Sequence, residues 1–167
     1  MTTLPGPGPE LPLGAYGRRV GDDALARLEE FLSEYTDEIH ALACEVLRRV
    51  DERLPGATRM VYVNWNATVV GYSPDGESEH AVCSVATYPR WVNLFFLVGP
   101  DLPDPQHLLQ GTGSTVRRVR ITGPADFDHR VDDLLDAAIA MWAWPFDPDR
   151  PGTTTIVAVS DKQRPRR

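Results

Sequence analysis

No apolar stretch in the chain approaches the ~20 residues that a bilayer-spanning helix needs, which excludes a membrane-embedded helical protein. Cysteine is scarce. Cys44 and Cys83 are the only two, far apart and outside any C-x-x-C pair, a usage that fits two reduced core thiols. No basic segment, apolar run and small-residue cleavage site follow one another at the N-terminus, so the expected compartment is the cytoplasm. H-E-x-x-H, the G-x-S-x-G elbow and a phosphate-binding glycine loop with its lysine and following helix are all missing, which leaves zinc peptidase, serine hydrolase and nucleotide folds without support. Basic charge is also in deficit. With 24 acidic against 17 basic residues the net charge is −7, which argues against a broad grip on nucleic acid, and no nucleic-acid or membrane partner is expected.

What is present is uneven. Of 15 prolines in 167 residues, Pro5, Pro7, Pro9 and Pro12 crowd a short N-terminal segment. That composition buries too little apolar surface to offset its ordering entropy, so residues 1–20 read as a disordered or loosely docked arm. Acidic residues dominate before residue 58 and again over 121–150, the segment between is neutral, and residues 160–167 form a basic tail, read here as a solubilising terminus.

Between arm and tail the periodicity describes an α+β domain. Leu25, Leu28, Phe31 and Leu32 recur at helical spacing after Asp22 and Asp23, and Ile39, Leu42, Ala43, Val46, Val50 and Leu54 form a second stripe ended by Pro55 and Gly56. Strand patterns follow over 59–65, 68–72, 80–88, 91–98 and 115–121. The 91–98 run is apolar on both alternation faces, which marks it as the expected centre of the sheet. Asp104-Pro105 predicts a short helical turn, a third helix carries Val131, Leu134, Leu135, Ala138 and Trp142, and 153–159 is a C-terminal strand after a Pro-rich loop. The expected fold is helices on one face of a mainly antiparallel sheet, with a domain over 21–145 and residues 146–159 supplying a loop and an extra strand.

Particular residues resemble a known family. The run from Trp91 to Gly99, Leu102-Pro-Asp-Pro105, Leu108-Leu-Gln-Gly-Thr-Gly113 and Arg117-Arg-Val-Arg120 resembles the signature of the YdhG-like domain of unknown function, and Asn64-Trp65-Asn66 and the aspartate-rich third helix agree with it. The likeness spans about residues 22–143. It implies an αβ sandwich, and part of that family is described as frataxin-like iron chaperones, which hold iron weakly through carboxylates of the first helix. It implies no catalytic residues. One departure is Arg118, where many relatives carry histidine after the first arginine.

Three groups of side chains are candidates for function. Asp22, Asp23, Glu29 and Glu30 are the candidate iron ligands, although an acidic solvated helix face explains the same residues. Asp37, His40 and Cys44 share one helical face at i, i+3 and i+7, without a fourth ligand in sequence. The second group is the glycine turn of Gly111 and Gly113 with Arg117, Arg118 and Arg120, which can hold a small anion through backbone N–H groups and guanidinium forks, or else pairs with the acidic helices. The third comprises Trp65, Trp91 and Asn93, with Tyr62, Tyr72 and Tyr88, which would line a ligand pocket if they share the sheet face not covered by helices, or form a homodimer surface. The function expected is a non-enzymatic binding module, a weak iron carrier or else a small-molecule or anion binder, with a dimerisation domain as the third reading.

Overall fold

The computed structural model describes residues 19–167. The Pro/Gly-rich arm therefore lies outside the described residues except for its last two, Arg19–Val20, which form strand β1. Gly21 then turns the chain with φ 95°, and its N–H donates to the carbonyl of Thr154, so that the entry to helix α1 (Asp22–Ser33) is tied to the sheet. Asp22 and Asp23 sit in the first helical turn, where the helix dipole favours carboxylates. Thr36 caps helix α2 (Asp37–Arg53) through its hydroxyl, which accepts from the Ile39 N–H.

Five strands follow as an antiparallel meander: β2 (Thr58–Val63), β3 (Thr68–Ser73), β4 (Cys83–Thr87), β5 (Val92–Phe96) and β6 (Arg117–Ile121). Helix α3 (His129–Met141), capped by the Asp128 carboxylate, carries the chain back to strand β7 (Thr153–Val159), which enters beside β2 and runs parallel to it. The order across the sheet is β1-β7-β2-β3-β4-β5-β6, with β1 antiparallel to β7. The fold is thus α+β, with three helices and a mixed, mostly antiparallel open sheet. Among the described residues no helix is long and apolar enough to cross a membrane.

Two local expectations change. The sheet is centred on β3, not on the 91–98 run, because β7 and β1 extend it on the far side. No helix forms at Asp104-Pro105. Instead a single turn closes, the His107 N–H donating to the Asp104 carbonyl at 3.2 Å, while the Asp104 carboxylate accepts from the N–H groups of Leu108 and Leu109, both at 2.9 Å.

Strand alternation gives the sheet two unlike faces. Val61, Val63, Val70, Tyr72, Val85, Leu94, Phe96, Val119 and Ile121 point to the helices and make one core with Leu28, Leu32, Val46, Val50 and Leu135. Helices α2 and α3 are clamped by Arg49 with Asp132 and by Arg53 with Asp132 and Asp136. The opposite face carries Met60 and Tyr62 of β2, Gly71 of β3, Ser84 and Ala86 of β4, Asn93 and Phe95 of β5, and Arg118 and Arg120 of β6, as the register requires.

The basic tail is not a free terminus. Arg166 is buried, its guanidinium donating to the carbonyls of Asn64 and Trp65, and Arg167 donates to the carbonyls of Ser33 and Glu34 at the C-terminal end of α1, where positive charge complements the dipole.

Candidate functional site

On the sheet face opposite the helices, cross-strand pairing sets Asn93 against Arg120 and Phe95 against Arg118, with Trp91 two residues further along the same side of the chain as Asn93. The Arg120 guanidinium lies over the Trp91 ring, 4.3 Å from its centroid, and Tyr88 stacks on Trp91 from the other end of the β4–β5 turn. Three polar atoms in this group are buried without any hydrogen-bond partner: Nε1 of Trp91, Oδ1 of Asn93 and Nε of Arg118. Asn93 itself is only 4 % exposed. Arg118 and Arg120 have no carboxylate partner among the described residues, so the expectation that the β6 arginines pair with the acidic helices does not hold for these two.

Gly111 approaches from the edge. Gln110 and Arg118 exchange both backbone hydrogen bonds, at 2.8 and 2.9 Å, which lays the glycine turn along β6. Gly111 has φ 120°, a conformation that favours glycine, and a β-carbon there would lie 3.8 Å from Nη1 of Arg118. Gly113 is bound up in the same turn, its carbonyl accepting from Arg117. Arg117 belongs to the other face of β6 and is spent on the carbonyls of Gly113 and Val116. Trp65 is not part of the group. It sits in the β2–β3 turn, half exposed, three strands from Trp91, and contributes its carbonyl to the Arg166 anchor. The structure therefore assembles Trp91, Asn93, Gly111, Arg118 and Arg120, and leaves Trp65 and Arg117 outside.

The four candidate iron ligands on α1 do not converge. Asp22 and Glu29 border a cleft of about 530 Å³ between α1 and α2, while Glu30, one residue round the helix from Glu29, pairs with Arg27. Glu29 instead meets His40 of α2, Oε1 to Nε2 at 2.7 Å. The grouping of Asp37 with His40 and Cys44 is replaced by Glu29 with His40 and Cys44.

At the deep end of the cleft, Asp51 accepts from the Tyr72 hydroxyl at 2.9 Å and from Arg59 at 3.3 Å. Burial raises the Asp51 carboxyl above the usual carboxylate range, with Arg59 opposing, and burial pushes the Tyr72 hydroxyl well up, so tyrosine stays a proton donor to Asp51. Burial likewise raises the Cys44 thiol, with Glu29 adding to it. Sequence patterns did not single out Asp51 and Arg59. The available signal was that Cys44, Arg48 and Asp51 fall on one side of α2 at the border of its apolar stripe. With two donors already satisfying its carboxylate, Asp51 serves to fasten α2 to the sheet.

Comparison with protein-family models, with curated proteins and with solved structures finds no match to this chain.

Proposed function

We propose that the protein is a binding module for a small organic anion, held around Asn93 on the sheet face opposite the helices. The observation that carries this reading is the group of three buried, partnerless polar atoms, Trp91 Nε1, Asn93 Oδ1 and Arg118 Nε. A buried polar group without a partner costs about 1–3 kcal/mol, and native folds retain few of them. Three lie on one face, beside the Arg118 and Arg120 guanidinium groups, which have no carboxylate partner among the described residues, and a ligand that displaces the side chains now covering these atoms would take them up. Indole and guanidinium N–H groups call for anionic or carbonyl oxygen, and the Asn93 oxygen calls for a hydroxyl or amine hydrogen. A hydroxylated carboxylate or a phosphate ester with a free hydroxyl meets both demands. The Arg120–Trp91 stack adds a flat, partly apolar wall for the carbon skeleton. These groups bind and orient. None of them is a nucleophile or a proton-transfer group, which favours a binding role over catalysis.

The frataxin-like iron reading has weaker support, since Asp22, Asp23, Glu29 and Glu30 do not come together as one group of ligands and Glu30 pairs with Arg27. Membership of the YdhG-like family stands as a proposal supported by the 91–113 run and by an architecture of helices on one sheet face.

The test is a thermal-shift screen of the full chain with inorganic phosphate, citrate, malate, lactate and glycerol phosphate. A ligand that binds only the folded state stabilises it by about 2.7 kcal/mol at a hundred times its dissociation constant, and the shift should vanish in Arg118→Ala. A flat screen, or equal shifts in the variant, would sink the proposal.

A further inference from the structure

We propose that Glu29, His40 and Cys44 form a binding site for a divalent transition-metal ion of the zinc class at the rim of the α1–α2 cleft. One donor atom from each residue lies within 4.8 Å of the other two. Tetrahedral bonds of about 2.0–2.3 Å set ligand atoms about 3.3–3.8 Å apart, so closing the site needs only small side-chain movements. His40 and Cys44 stand one turn apart on the same face of α2, which gives two ligands a rigid common base. Glu29 reaches them from α1 on a long, exposed side chain that is free to adjust.

The donor set selects the metal. One imidazole, one thiolate and one carboxylate suit zinc or cobalt, whereas magnesium and calcium take oxygen ligands. In the metal-free protein a proton joins His40 Nε2 to Glu29 Oε1. On loading, the ion takes the Nε2 lone pair while the imidazole proton sits on Nδ1, and the Cys44 thiol gives up its proton, so the thiol proton is released to solvent. Three protein ligands leave a fourth position, and because Glu29 and Cys44 both line the cleft, that position is open to water from it. This site shares no residue with the anion site around Asn93 and stands or falls separately.

The experiment titrates Co²⁺ into the full chain, reduced and freed of metal by chelation, and then displaces it with Zn²⁺. The expected result is one equivalent bound with the intense visible bands of a tetrahedral ion and a near-ultraviolet thiolate-to-cobalt charge-transfer band. In Cys44→Ser the charge-transfer band disappears. In Glu29→Gln, a change at an exposed position that spares the fold, zinc affinity falls by about tenfold or more. Thermal unfolding of each variant without metal shows that the fold is intact. Cobalt binding with no thiolate band, a wild-type spectrum in Cys44→Ser, or no binding at micromolar metal would each overturn the assignment.

Discussion

The Arg120 guanidinium sits face-on to the Trp91 ring at 4.3 Å, on a strand neighbour that pairs it directly with Asn93. An exposed cation over an aromatic face is worth about 0.5–1 kcal/mol. Arg120→Ala should therefore lower stability by about that amount in urea denaturation, with no change in the slope of the transition. Because the cation lies over the indole, the same variant should also shift the Trp91 contribution to fluorescence. Unchanged stability and emission would mean that the stack does not persist in solution.

Arg118 predicts the opposite sign. Its Nε is buried without a partner, and no carboxylate offsets its charge among the described residues. Residues placed for a ligand cost stability when the ligand is absent. In ligand-free buffer Arg118→Ala should be as stable as the parent chain or more so, while Arg120→Ala is less stable. A marked loss of stability in Arg118→Ala would show that the guanidinium serves the fold and not a ligand.

The anchor of the tail is a third point of test. Arg166 donates to the carbonyls of Asn64, at 2.8 Å, and Trp65, at 3.3 Å, and its guanidinium lies 5.6 Å from the Tyr35 ring centroid. Tyr35 in turn donates to the Thr87 carbonyl and accepts from the Thr68 N–H, so the tail, the α1–α2 junction, the start of β3 and the end of β4 meet at one corner. Arg166→Ala should cost about 1–3 kcal/mol in chemical denaturation, and Arg166→Lys should recover little, because an ammonium cannot reach both carbonyls with a planar fork.

Much of this geometry is written in local periodicity. The stripe of α2 and the alternation that separates Arg117 from Arg118 and Arg120 follow from 3.6- and 2-residue repeats, and the structure reproduces them; in α1 Leu28, Phe31 and Leu32 are buried as expected, whereas Leu25 is 46 % exposed and Ala24 is buried in the core. Strand order is a different matter, since alternation says nothing about which edge receives the last strand. The parallel insertion of β7 beside β2 moved the centre from β5 to β3. Glu29 was invisible as a partner of Cys44 for a related reason. Spacing along α2 offers Asp37, whereas Glu29 arrives only through the packing of α1 on α2. Arg166 lay in a segment whose charge suggested solvation, and its burial depends on turn carbonyls a hundred residues away in sequence.

Acid stability offers the last test, at the turn between β3 and β4. The Asp75 carboxylate accepts from the Glu77 N–H at 3.0 Å and from the Ser73 hydroxyl at 2.9 Å, and its other oxygen faces His80 Nδ1 at 2.6 Å. These contacts, the backbone hydrogen bond first among them, hold its carboxyl at about 2. An unfolded aspartate titrates near about 3.9, so the folded state binds this proton less tightly than the unfolded one. Asp75 thus contributes stability in full above pH ~4, and the contribution is lost as the pH falls through ~2. Asp51 has the reverse sign, since burial raises its carboxyl and ionising it works against the fold. Asp75→Asn keeps an acceptor for the Glu77 N–H but removes the charge. Denaturation midpoints should place the variant below the parent at neutral pH, and the gap should close between about pH 4 and pH 2. A gap that stays constant over that window would show that the lost contacts are independent of the charge, and that the carboxylate is not what the turn stabilises.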